Sequence, residues 1–157
     1  MKLLAIDPSV NNVGWATWTT ESKEWDWGLI HPRGRNALQC AESIVASLQT
    51  ALTFPTTEIT DLVVEYPTFF EGTKGAVAAK QGYTIDLGCI AGYLSGRFHT
   101  AHTQLYLPSE WKGNIPKTGI EFRFIRIFGE LAARHATDHE QEAVMLGRFY
   151  LKEKKML

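Results

Sequence analysis

Only two cysteines, Cys40 and Cys89, occur in the 157 residues, and both fall in helix-like segments far apart in sequence. Neither a disulfide framework nor a cysteine metal pair follows from them. This suits a reducing compartment, and a cytoplasmic location, in a bacterium or a phage-infected host, is the expectation. Long apolar runs are missing as well. No stretch reaches the roughly 18 apolar residues of a membrane span. The run at residues 3–6 is cut short by Asp7, so it does not read as a signal peptide. Charge of one sign is not in excess either: the formal net charge is −1, which argues against wrapping nucleic acid with the whole surface. Repeats, low-complexity tracts and linkers are absent, so one domain over residues 1–157 is expected.

What is present is an apolar share of 45% and a charged share of 21%, ordinary for a globular protein with a real core. Five tryptophans and eight phenylalanines exceed what a core needs, so some are expected to be exposed for binding. Acids prevail over residues 1–70 and bases over 71–134. That is a metal site beside an anion-binding surface, or chance clustering.

Apolar periodicity predicts strands at 2–8, 13–19 and 24–31 and a helix over 36–53 with Asn36 as cap, ended by Pro55. A strand at 60–67, a long helix-compatible stretch from about 74 to 98 interrupted by several glycines, a strand at 102–108, a basic loop, and helices near 119–134 and 139–152 follow. Three leading strands joined by short turns suit an antiparallel meander, and the later strands, separated by helices, suit parallel crossovers. The expected fold is α/β: a mixed five-stranded sheet, three antiparallel strands then parallel ones, flanked by helices.

Acids stand where burial is expected. Asp7 ends "LLAID", Glu65 ends "LVVE", and "TDHEQEAVMLG" opens the last helix. If the first and fourth strands are adjacent and parallel, Asp7 and Glu65 lie side by side. On the helix, His139 and Glu142 are three apart and Asp138 and Glu142 four apart, so either pair shares a face. Crowded carboxylates repel unless a cation intervenes, and Mg²⁺, which takes hard oxygen ligands, is the obvious one. Two such ions about 3.5–4 Å apart activate water and stabilise the leaving oxygen in phosphodiester hydrolysis. Each residue also has a duller role. Asp7 suits a turn before Pro8, Glu65 a salt bridge, Asp138 a helix cap in rivalry with Thr137, and His139 a structural contact.

Together these segments resemble the RuvC family of Holliday junction resolvases, within the ribonuclease H-like nucleases, and are most similar to the bacteriophage versions. "AIDPSVNNVGWA" resembles the family's first-strand motif, "VVEYPTFF" the strand that ends in the second acid, and "DHEQEAVMLG" the closing helix. Two positions depart from the pattern: Ser9 replaces the usual glycine, and Glu142 a commoner aspartate. The resemblance implies Asp7, Glu65, His139 and Glu142 as catalytic, metal-site positions, with Asp138 as runner-up to His139. It implies two Mg²⁺ per site, with Mn²⁺ as a substitute, and no small-molecule cofactor. Asp7 would bridge the metals, Glu65 and Glu142 would each help hold one, and His139 would ligate or steer the attacking water. Branched DNA would be the substrate, nicked symmetrically by a homodimer to leave 5′-phosphate and 3′-hydroxyl ends.

For DNA, "PTFFEGTKG" offers Phe69 or Phe70 to stack on an unpaired base, an interaction worth roughly 1–3 kcal/mol. "LPSEWKGNIPKTG" offers Lys112 and Lys117 to phosphates. Arg123 and Arg126, with Lys74 and Lys80, would extend the track, or are solvated surface charge. Glycines 88, 92 and 96 recur on one helical face and suggest a close neighbour, either internal or a second subunit. Sugar kinases and actin-like ATPases share the opening hairpin but need a second domain. Zinc-like pairs, His99 with His102 or His135 with His139, lack a third ligand. A non-catalytic DNA-binding module and a ribonuclease H-type hybrid nuclease remain as alternatives.

Overall fold

The computed structural model describes residues 1–67, 82–98 and 102–157. Phe69, Phe70, Lys74, Lys80 and His99 lie outside them. Five strands, β1 (Lys2–Asp7), β2 (Val13–Thr19), β3 (Trp25–Ile30), β4 (Asp61–Glu65) and β5 (His102–Tyr106), form one sheet in the order β3-β2-β1-β4-β5. β1 pairs antiparallel with β2 and β2 with β3, whereas β1–β4 and β4–β5 are parallel. The mixed sheet is therefore as expected from the strand order.

Helices cover both faces. α1 (Ala37–Ala51) and α2 (Tyr83–Arg97) pack on one side, and α6 (Asp138–Glu153) crosses the other. Between β5 and α6 lie α3 (Pro108–Trp111), α4 (Lys117–Phe128) and α5 (Glu130–His135). Asn36 caps α1, its side chain accepting from the Gln39 amide at 2.9 Å.

Strand alternation divides the core. Leu4 and Ile6 of β1 and Leu62 and Val64 of β4 join Ile44, Leu48, Ile90 and Leu94 beneath α1 and α2. Leu3, Ala5 and Val63 face the other way, with Leu146, Tyr150 and Leu151 of α6. Each such fully buried aliphatic side chain contributes about 1.5–3 kcal/mol. By the same period of two, Asp7 and Glu65 fall on the α6 face. The sheet thus delivers both acids toward the helix that carries His139 and Glu142.

One expectation needs correction. The helix foreseen over 119–134 is two helices, because Gly129 sits at φ 87°, ψ 163°, outside the helical region, and its amide closes α4 on the Ile125 carbonyl at 2.7 Å. One of the glycine interruptions expected in the stretch from 74 to 98 falls at Gly82, whose left-handed φ of 74° precedes the first turn of α2. Of the tryptophans and phenylalanines, some of which were expected to be exposed, Phe122 is the exposed one among the described residues, whereas Trp15, Trp18 and Trp111 are buried and Trp25 and Trp27 half-buried.

Candidate metal centre

β1 and β4 run in parallel register, Ala5 beside Val63 and Ile6 beside Val64, so Asp7 and Glu65 finish the two strands as neighbours. Oxygens of Asp7, Glu65 and Glu142 all lie within 4.8 Å of one another. Asp7 and Glu142 are 4% and 6% exposed, so their mutual repulsion is little screened by water. Asp61, another buried acid of β4, has a different fate. At the opposite end of that strand its oxygens accept hydroxyl hydrogen bonds from Tyr150 and Thr60, each at 2.6 Å, which leaves it a structural group.

α6 is aimed by its first turn. Thr137 caps it reciprocally with Glu140, so the Thr137 hydroxyl, and not Asp138, is the N-cap. The helix starts close above the β1–β2 hairpin. Gly14, paired with Asp7 across the ladder, leaves no room for a Cβ, which would lie 1.9 Å from the His139 carbonyl oxygen. That approach lets His139 Nδ1 donate to Asp7 Oδ2 at 2.6 Å. The hydrogen bond raises the imidazole above its ordinary value, against burial and the charge of Lys117. His139 is thus attached to the acid cluster through Asp7. Asp138 points away, largely exposed, and pairs with Lys117 at 3.4 Å.

Lys112 occupies the centre of the site. Its Nζ lies 2.6 Å from Glu142 and 3.1 Å from Glu65. Burial alone would lower the ammonium, but the two glutamates outweigh burial and raise it. Burial, followed by the Asp7 charge, pushes the Glu65 carboxyl up to about 7, opposed by Lys112 and Trp111. A salt bridge for Glu65 is therefore real, and it forms inside the cluster rather than in place of it. Lys117 stands at the rim beside Asp138, and Arg123 is exposed on α4.

Two contributors escaped the sequence reading. Gly14 is one. The other is Trp111, whose indole Nε1 donates to Glu65 Oε2 at 2.7 Å. A tryptophan next to the loop lysine was the available signal, since an indole N–H in a core needs an acceptor.

The residues fit a divalent metal. The donor set is three hard carboxylates, and the cluster already accepts a cation in the Lys112 ammonium. Asp7, Glu65 and Glu142 would hold the ion, which when bound supplies Lewis acidity and an activated water.

No protein-family model and no curated protein matches the chain. Solved structures do. Thermus thermophilus RuvC in complex with a Holliday junction substrate superposes with a TM-score of 0.66 at 15% identity, covering 98% of this chain and 96% of that one. The fowlpox virus Holliday junction resolvase gives 0.55 at 13% identity, covering 98% and 99%. The yeast mitochondrial Holliday junction resolvase Ydc2 gives 0.59 at 7% identity, covering 98% and 80%. The chain accordingly has the ribonuclease H-like fold in the form found in RuvC and other Holliday junction resolvases.

Proposed function

We propose that this protein is a metal-dependent endonuclease that resolves four-way DNA junctions by paired symmetric nicks. The observation that carries the reading is the buried triad Asp7, Glu65 and Glu142, set at adjacent parallel strand ends and on the crossing helix of a resolvase-like fold. Such a cluster opposes folding unless a cation answers it; Lys112 does so here, and a divalent ion would take the same oxygens. Mg²⁺ suits the all-oxygen set, and hydrolysis leaves a 5′-phosphate and a 3′-hydroxyl. In this reading His139, bound to Asp7, ligates the metal or steers the attacking water.

Lys112, Lys117 and Arg123 are the phosphate contacts of this reading, with Lys74, Lys80 and the stacking residues Phe69 and Phe70 completing the DNA surface. The whole of residues 1–157 acts as the nuclease domain. A homodimer would set one site against each of two opposed strands of a two-fold junction. The glycine face of α2 supports it: among the described residues nothing lies within 4 Å of a Cβ built at Gly92 or Gly96, and only the Tyr66 hydroxyl, at 3.8 Å, approaches one at Gly88. An internal neighbour for this face is not found among them, and the proposal takes the other alternative, a second subunit. No helix among the described residues is long and apolar enough to cross a membrane, and the cytoplasm is the proposed setting.

The test incubates the protein with a synthetic four-way junction, a linear duplex and an RNA–DNA hybrid, with and without Mg²⁺. Symmetric junction nicks that require the metal support the reading. Cleavage of the hybrid alone moves the protein to ribonuclease H chemistry, and binding without cutting in any divalent metal makes it a DNA-binding module.

A further inference from the structure

We propose that Trp111 is a positioning residue: its indole N–H holds the Glu65 carboxylate in the orientation that lets it share a metal ion with Asp7 and Glu142. The inference rests on the metal-dependent reading above and adds a residue to it. A glutamate has three side-chain torsions, and at the open end of β4 the strand restrains only the first. Trp111 supplies the missing restraint, donating to Oε2 at 2.7 Å. The ring cannot follow the carboxylate, because it is 7% exposed and belongs to the buried core cluster that also holds Leu3, Val63, Ile120 and Leu146. Its backbone is held too. α3 starts directly after β5 with Pro108 in its first turn, and Glu110 accepts the Leu107 amide at 2.7 Å.

A carboxylate oxygen has two lone pairs, so the indole does not exhaust Oε2. Lys112 shows as much, since its Nζ reaches the same oxygen at 3.1 Å while lying over the Trp111 ring at 5.0 Å. The two neighbours act differently. Lys112 is a flexible cation competing for the oxygens a metal needs, whereas the indole is a rigid neutral donor that leaves room for one. Hydrogen-bond partners of metal ligands typically set 10–100-fold of the affinity.

Trp111→Phe keeps a ring and removes the donor. Mn²⁺ binding without DNA, followed by electron paramagnetic resonance, is expected to weaken about tenfold or more. Junction binding in EDTA should stay at the wild-type level. Because the smaller ring can loosen the core, a second variant carries β-(3-benzothienyl)alanine at position 111, which keeps the bicyclic shape and replaces N–H by sulfur. It should show the same loss of Mn²⁺ affinity with an unchanged Tm. Wild-type Mn²⁺ affinity in the isostere overturns the positioning role and leaves the nuclease reading intact. A wild-type protein that binds no Mn²⁺ and cuts no junction overturns both.

Discussion

The Lys112 ammonium lies 2.6 Å from a carboxylate oxygen of Glu142, and their side chains are only 17% and 8% exposed. The protein thus carries an internal counter-ion at the spot where its acids converge, so lysine and divalent metal compete for the same oxygens. Removing the ammonium leaves Glu65 and Glu142 without their cation, while Asp7 keeps His139. Lys112→Met is expected to lower stability in EDTA by about 3 kcal/mol, typical of breaking a buried ion pair. Saturating Mg²⁺ should return most of it, since a ligand at 100 times its Kd contributes about 2.7 kcal/mol. Urea unfolding with and without Mg²⁺ checks this, and a loss that Mg²⁺ leaves untouched contradicts it. If Lys112 also reaches phosphate, the slope of junction affinity against salt falls by about one unit.

Stability should depend on pH in a defined direction. Glu65 is raised from 4.5 to about 7, so the folded state holds its proton more tightly than the unfolded chain does. The contribution is full below about pH 4.5 and is lost as pH rises through 7, on the order of 3 kcal/mol. His139 is also raised. Its pairing with Asp7 contributes fully below the ordinary histidine value and is lost above the raised one. Both groups therefore predict that stability in EDTA falls between pH 5 and 8. Glu65→Gln should flatten the Glu65 part of the curve. A wild-type curve that rises over this range excludes the proposed protonation pattern.

Asp7→Asn removes the charge shared by the metal cluster and the His139 hydrogen bond. Junction cleavage is expected to drop at least about 1,000-fold, a loss of roughly 4 kcal/mol in transition-state stabilisation. Junction binding in Ca²⁺ should survive. Gel shifts and single-turnover cleavage separate the two, and retained cutting would place the chemistry elsewhere.

Two glycines should respond oppositely to the same substitution. At Gly14 an added methyl collides with the His139 backbone at 1.9 Å, so Gly14→Ala must shift the start of α6. Destabilisation of about 3 kcal/mol or loss of cleavage follows. At Gly92 nothing among the described residues meets the methyl, and Gly92→Ala should gain up to about 1 kcal/mol of helix stability in an isolated chain. If the glycine face is the dimer contact, Gly92→Leu shifts sedimentation toward monomer. Unchanged sedimentation would move the interface off this face.

Much of the frame is local. The alternation in "LLAID" and "DLVVE" determines which strand face each terminal acid takes, because successive side chains of a strand point opposite ways. The i, i+3 spacing of His139 and Glu142 places them on one side of α6 for the same kind of reason. These are short-range geometric facts, so Asp7, Glu65 and the helix pair were legible before any contact was known. The break at Gly129 was less so, since a glycine inside an apolar helical pattern does not reveal its φ.

The tertiary structure decided how those acids are used. Only the parallel pairing of β1 with β4 makes Asp7 and Glu65 neighbours, and only the close crossing of α6 over Gly14 brings His139 to Asp7 while Asp138 turns out to Lys117. Lys112 and Trp111 reach Glu65 because α3 follows β5 at that same end of the sheet. Long side chains on short connecting segments go where the assembled elements leave charge and space. The sequence by itself determined the strands, the helices and the acids they carry, because those depend on neighbours a few residues away. Which cation and which hydrogen-bond donor answer the acids depended on groups some 30 to 130 residues distant, and the packed fold alone sets that distance to a hydrogen bond.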